Sequence, residues 1–512
     1  MTYGRPGVYL TETLLPAPLA QGVATSAAGA VAAPFAQGPE IVTRVQSWTE
    51  FTSKFGGYNA AFPAVFGVAQ FFNNGGRELY VKRILHSDAA AATVSVETSG
   101  NVVVATFTAK NRGDDGNNLR INVKAGTISG TYTVEVYKEG VAGTAMNITN
   151  DVLLERYENL VFADPTSSNY AGTVINNTAG SSVTVSALAS GTPVLTVYPL
   201  TGGADGSAVV AGDYTSYAST SASVWNEFSA LNRALVMFTP NINDTLASGV
   251  VGVINDAISW ASANNGFFVA ETPAGETVDA AITYAQGLTA SSNAAVYYPH
   301  TYITDPIGRS NGAIRLIGPS AGVAGLYLAT DASKSVAKAP AGLNSPLGSV
   351  ISLERLFTSA ELDYLNTGYP SAGTGSSAPV NAIRQIPGAG IVVMGARTLL
   401  QDGTANRYVN MRRSLIYIEQ NLKSIAQIAL FENNDETLWA RITSTFNSFL
   451  NDYRNQGGLR GGTPAQAYYV LCNATNNTAT SLQNGIVNIQ VGVALEYPAE
   501  FVVINLSQMT LA

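Results

Sequence analysis

The chain has 512 residues, more than one hydrophobic core can serve, so two to four domains are expected. Charged residues make up only 12% of it, about half the share usual in globular proteins, while apolar residues stand at an ordinary 46%. A net charge of −8 without any run of Lys or Arg argues against nucleic acid as a partner, and one cysteine, Cys472, excludes an internal disulfide and a multi-cysteine metal site. So little charge suits a subunit that gives much of its surface to other subunits, because interface cores are depleted of charge. The cysteine usage fits assembly in a reducing compartment.

The segment RPGVYLTETLLPAP, residues 5–18, opens with an alternation: Val8, Leu10 and Glu12 share one face and Tyr9, Thr11 and Thr13 the other, the period of an extended strand. Pro6 stands at its start, and Pro16, Pro18 and a run of small residues to about Ala33 follow it. We read residues 1–30 as an N-terminal arm with no earlier element to pair with. VATSAAGAVAAPFA, residues 23–36, is short, broken by Pro34 and without a basic leader, so neither a signal peptide nor a membrane span is expected there.

Residues 31–86 form the first part of the core. Ser47 and Glu50 make a capping box for a helix over WTEFTSKF, stopped by Gly56-Gly57. Pro63 opens a second helix with Phe62, Val65, Phe66, Ala69 and Phe72 on one side, ended by Asn74-Gly75-Gly76, and RELYVKRIL follows as a strand. From 87 to 210 Thr, Val, Ser, Gly and Asn dominate and helical periodicity nearly vanishes. NVVVATFTA, LRINVKA, TYTVEVYK and SSVTVSAL read as short strands between turns, so this stretch is taken as an inserted β-rich domain.

Residues 211–345 alternate. ALVMFTP is a buried strand, Asp244 or Thr245 caps a helix with Leu246, Val250, Val253, Ile254, Ala257 and Ile258 inward, and GFFVAE, TVDAAITYAQGL and AAVYYP continue as strand, helix and strand. This β-α-β-α-β unit implies a parallel sheet with helices on its faces. Residues 346–485 follow as an α+β domain, with a loop over 366–381 inside it. One helix carries Leu415, Ile418, Leu422, Ile425 and Ala429; a second, capped by Asn433 with Glu436 and stopped by Gly457-Gly458, carries Leu438, Ile442, Phe446, Phe449 and Tyr453. Residues 486–512 are a C-terminal strand arm, in which VNIQVGV alternates and EFVVINL is apolar on both faces. The fold class is α/β and α+β, multidomain.

Several motifs suggest chemistry. GPSAG, Gly318 to Gly322, fits the nucleophile-elbow pattern with Ser320 as nucleophile, but in that fold the histidine follows the serine, and His86 and His300 both precede it. A Gly-Pro turn is the favoured reading. RGDDGNNL lacks the spacing of a calcium loop and reads as a turn, and GAGIVVMG is not a dinucleotide fingerprint. The loops at the carboxyl ends of the parallel strands offer Asp244, Glu276, His300 and Asp305, enough for an α/β enzyme site. Such loop acids are more often helix caps, and Arg412-Arg413 reads as a solvated helix start. No catalytic, cofactor-binding or metal-binding residue is assigned.

Three stretches together resemble the contractile tail sheath family of bacteriophages and related contractile injection systems. They are PGVYLTE with SWTEFTSKFGG and FFNNGGRELYVKRI; PSAGVAGLYLATD; and VNMRRSLIYIEQNLKSIAQIALFENNDETLWARI with YYVLCN and VGVALEYPAEFVVINL. The resemblance covers both ends and the α/β middle and says least about 87–210. It implies a structural polymer and no enzyme: six-fold rings stacked helically around a tail tube, contraction that drives the tube through the host envelope and serves viral genome ejection, and an inner domain built from both chain ends with the β-rich insertion outside and residues 346–485 facing the tube. It implies strand exchange between copies through Val8, Tyr9, Leu10 and Thr11 and through Phe501, Val502, Val503 and Ile504. The implied partners are other copies of the chain, the tube protein, the baseplate and the tail terminator, without nucleic acid, membrane insertion or cofactor, in a virion tail assembled in the bacterial cytoplasm. The competing readings are the α/β enzyme and a secreted β-rich adhesin carried by 87–210.

Overall fold

The computed structural model describes residues 27–139, 151–216, 223–308 and 312–500. Its described residues fall into two compact units, one of residues 27–416 with 497–500 and the other of residues 417–496. The exchange residues Val8 to Thr11 and Phe501 to Ile504 lie outside the described residues.

In the larger unit the chain runs through strands β1 (Ala28–Ala33) and β2 (Thr43–Val45), helices α1 (Trp48–Phe55) and α2 (Ala64–Asn73), and strand β3 (Leu79–Arg83). The stretch 92–200 contributes β4 (Thr93–Glu97), β5 (Val103–Ala109), β6 (Leu119–Ala125), β7 (Tyr132–Lys138), β8 (Val152–Leu160), α3 (Ala171–Asn176), β9 (Val183–Ser186) and β10 (Val197–Pro199). After α4 (Ala211–Thr215) come β11 (Leu235–Phe238), α5 (Ile242–Thr245), α6 (Val250–Ala263), β12 (Gly266–Glu271), α7 (Val278–Gln286) and β13 (Ala294–Tyr298). Strands β14 (Thr301–Thr304) and β15 (Ile314–Ile317), helix α8 (Ser320–Ser333), β16 (Ser352–Leu353), α9 (Ser359–Thr367), β17 (Val380–Ile386) and β18 (Gly390–Val393) complete this pass, and α10 (Val409–Ala426) carries the chain across the division at Tyr417.

The organising feature is an eight-stranded sheet in the order β18-β17-β13-β12-β11-β1-β3-β2. Its six inner strands are parallel, and the edge strands β18 and β2 are antiparallel to their neighbours. A parallel sheet is buried on both faces, and here the strands divide residue by residue. Val31, Val236, Phe238 and Val269 join Phe66 and Phe71 of α2 and Ala324 and Tyr327 of α8. Ala30, Met237, Phe268 and Val296 join Ile254 and Ile258 of α6 and Ile282 of α7 on the other face.

Strand β1 begins at Ala28, within the stretch 1–30 read as arm, and continues to Ala33 in the first part of the core. AGAVAA is buried at every position, between β11 and β3. Small residues are required there: a Cβ on Gly29 would stand 2.6 Å from the Phe71 ring and 2.9 Å from the Leu79 side chain. A correction concerns α6, whose N-cap is Gly249. Asp244 instead lies in the separate short helix α5, where its carboxylate accepts from Asn241 Nδ2.

The stretch 92–200 folds around its own core. Sheets β4-β5-β9 and β10-β6-β7-β8 enclose Val96, Phe107, Ile121, Val134 and Val136, with Ile175 of α3 between them. Fully buried Arg83 donates to the carbonyl oxygens of Phe35 (2.8 Å) and of Arg112 (2.6 Å), which lies between β5 and β6, and reaches Asp205, just beyond β10, at 3.4 Å, which joins β3 to the β-rich stretch.

The smaller unit contains the second half of α10, helix α11 (Glu436–Asn455), and the antiparallel pair β19 (Tyr468–Leu471) and β20 (Gln490–Val493). Leu438, Ile442 and Phe446 of α11 pack with Leu422, Ile425, Val470, Ile489 and Val491. The cap of α11 is Asp435, whose carboxylate accepts the Leu438 N–H at 2.9 Å, where Asn433 was expected. Both residues can cap; Asp435 is the one that places its oxygen three residues before a helical N–H.

Candidate assembly site

The crevice at the carboxyl ends of the parallel strands is where a ligand would sit in a sheet of this kind. The residues proposed for it each have a hydrogen-bond partner within the chain. Asp305 pairs with Arg315 at 2.9 Å across β14 and β15. The Glu276 carbonyl accepts the Tyr298 hydroxyl, and buried His300 places Nε2 2.7 Å from the Thr272 carbonyl oxygen.

The centre of the crevice is filled by Glu271, the last residue of β12. Its carboxylate accepts the Asn241 N–H at 2.5 Å, beyond the end of β11, and the Ser320 N–H at 3.1 Å, at the start of α8. The α8 N-terminus, which would otherwise favour an external anion, therefore receives an acid from the chain's own sheet. Burial pushes the Glu271 carboxyl up from its ordinary value. Ser320 is fully buried, and Gly318 has no Cβ because one would overlap the Glu271 carboxylate. GPSAG is thus a strand-to-helix turn shaped around a buried acid. The only sequence signal for Glu271 is a carboxylate ending the apolar run GFFVA.

Arg412-Arg413 corrects the expectation of a solvated helix start. Arg413 is buried and forms two hydrogen bonds with Asp331 of α8 (3.0 and 2.5 Å) while standing 4.8 Å from the Tyr327 ring centroid; Arg412 donates to Asn293 at 3.1 Å. RGDDGNNL is a turn into β6, with Asp115 paired to Lys138. Among the described residues no group of three His, Cys, Asp or Glu could hold a metal, and no helix is long and apolar enough to cross a membrane.

Two other features lie away from these strand ends. Strands β19 and β20 pair only with each other among the described residues, so each presents a free edge, and Tyr469 on β19 is 53% exposed. Unpaired strand edges are templates for a further strand. In the larger unit, the segment 497–500 carries Glu500, whose carboxylate is gripped by both Arg397 Nε and Nη2 at 2.8 Å.

Residues 401–508 match the family described as phage tail sheath C-terminal domain. The chain has the fold of contractile sheath subunits. The anti-feeding prophage helical sheath in its contracted state is similar over 98% of this chain and 99% of its own, with a TM-score of 0.58 and 19% identity. The PVC sheath of an extracellular contractile injection system, also contracted, is similar over 99% and 98%, with a TM-score of 0.57 and 20% identity. A sheath tail protein of Listeria innocua gives a TM-score of 0.59 at 14% identity, over 92% and 96%. Among curated relatives, the tail sheath protein of Vibrio phage KVP40 is 24% identical over 36% of this chain, and that of Salmonella phage ViI 28% over 33%. The matched segments span 26% and 24% of those relatives.

Proposed function

We propose that this chain is a structural sheath subunit of a contractile tail or injection device, which polymerises as stacked six-fold rings around a tube and contracts to drive the tube through an envelope. The observation that carries this reading is a fold shared with contracted sheaths over nearly the whole chain. Other copies of the chain, the tube, the baseplate and the terminator are its partners, and assembly takes place in the bacterial cytoplasm. Within the polymer, the arm residues Val8, Tyr9, Leu10 and Thr11 of one copy and Phe501, Val502, Val503 and Ile504 of another add strands to the free edges of β19 and β20. Both segments have strand patterning, and among the described residues β19 and β20 pair with no further strand. Contacts of this head-to-tail kind need not close, and so build a helical array. The β-rich stretch 87–210, which has a core of its own, lies on the outer surface, and 346–485 faces the tube.

An enzyme at the strand ends is disfavoured because Glu271 occupies the crevice. Electron microscopy of the purified full chain is the test. Tubular polymers of regular repeat are expected; dispersed particles at all concentrations would overturn the proposal.

A further inference from the structure

The chain leaves the larger unit within α10 and comes back to it at Tyr497, four residues before Phe501, where the exchange segment Phe501 to Ile504 of the C-terminal arm begins. The returning segment 497–500 has no helix or strand of its own, and Tyr497 is 55% exposed. Glu500 is drawn in, its side chain 23% exposed and that of Arg397 16%. Besides its two bonds to Glu500, Arg397 donates from Nη1 to the Asn366 carbonyl oxygen at 2.9 Å, which fixes the plane of the guanidinium. Tyr408, bridged to Arg397 in antiparallel fashion, adds its hydroxyl to the same carboxylate at 3.3 Å.

The backbone behind this grip is itself tied down. Buried Asn381 of β17 accepts the Arg397 N–H at 2.8 Å and donates to the Arg397 carbonyl at 2.8 Å, and its amide also reaches the Val296 carbonyl of β13 at 3.1 Å. A continuous path thus runs from Glu500 through Arg397 and Asn381 into the parallel sheet. A two-pronged charged pair sets direction as well as position, and the residue it holds is the one before Phe501.

We infer that Arg397 and Glu500 form the anchor that sets where the C-terminal arm leaves its own subunit and that carries tension on the arm into the sheet. The inference rests on the sheath reading and on arm exchange. Arg397 is a positioning residue: through Glu500 it confines the arm's root and so raises the effective concentration of the arm at a neighbour's strand edge.

The experiment compares the wild-type chain with Arg397→Ala, Glu500→Ala, the double variant and a chain lacking 501–512, measuring the concentration for half-assembly by light scattering and micrographs, and the melting of the unassembled subunit. Each single variant should raise the half-assembly concentration about ten-fold or more. The double variant should be no worse than the singles, because the two groups act as one, and melting should be nearly unchanged. Glu500→Ala guards against misfolding, since it changes only a peripheral residue. Single variants that assemble like the wild type, effects that multiply in the double variant, or full assembly without 501–512 would each overturn the anchor while leaving the sheath reading standing. A wild-type chain that stays dispersed would overturn both.

Discussion

Glu271 holds the Ser320 N–H at 3.1 Å, so a buried carboxylate at the end of one strand stands at the N-terminus of a helix of 14 residues, and its other oxygen holds the Asn241 N–H. An amide in its place could accept only one of these bonds and would turn a donor toward the other. Glu271→Gln should therefore destabilise the subunit by about 1–3 kcal/mol, the usual cost of a buried polar group left unsatisfied. Denaturant unfolding with an unchanged slope checks it. A variant as stable as the wild type would show that the carboxylate does not join these elements.

Asp331 and Arg413 are each only 4% exposed at the side chain. Removing one partner leaves a buried charge uncompensated, so Asp331→Ala should cost about 3–5 kcal/mol. Replacing both by apolar residues of similar volume should recover most of that loss. Equal damage from the double replacement would mean that Arg413 matters for its shape and not for its charge.

His86 Nδ1 lies 2.9 Å from an Asp213 carboxylate oxygen, and this hydrogen bond raises the imidazole above its ordinary value, 6.5. A raised folded value means that the protonated pair stabilises the fold fully below the unfolded value and ceases to do so as the pH climbs through the folded one. The stability difference between wild type and Asp213→Asn should therefore be largest below pH 6.5 and shrink above it. The chain has two histidines, so the titration is readable by NMR. A His86 midpoint at or below 6.5 in the wild type would contradict the pairing.

If Val8 to Thr11 join a strand edge in another copy, each junction gains several backbone bonds of about 0.5–1.5 kcal/mol apiece. Leu10→Pro removes one donor per junction and disturbs the ladder. Long sheaths should be abolished while the unassembled subunit melts as before. A drop of several degrees in subunit melting would place this strand in its own subunit's core instead.

Elements whose signals are local were legible. The Ser47 box is found, with the Glu50 carboxylate bonded to the Gln46 N–H one residue further out, and the parallel order β11-β12-β13 follows from the alternation of strand and helix. Strand β1 was not, because Ala and Gly have little strand preference and a strand buried on both faces shows no alternation. Strand β8, VLLERYENL, hides behind its charges, Glu155 among them bonding the Ser182 N–H across the sandwich. Helix α3, six residues long, is too short to show a period. At the strand ends the loop acids were visible, whereas the burial of Glu271 and Arg413 depends on partners 49 and 82 residues away.

The place of β1 also bears on how the protein is made. Its first neighbour, β3, emerges soon after it, but β11, which covers its other edge, follows roughly 200 residues later, a wait of about 10–40 s at the pace of ribosomal synthesis. During that time the nascent chain shows one half-paired strand. A segment rich in Val or Ile would be sticky for so long, whereas AGAVAA offers a waiting edge with little to hold a stray chain. The composition that hides this strand from a reader of the sequence also protects it while the chain is still unfinished.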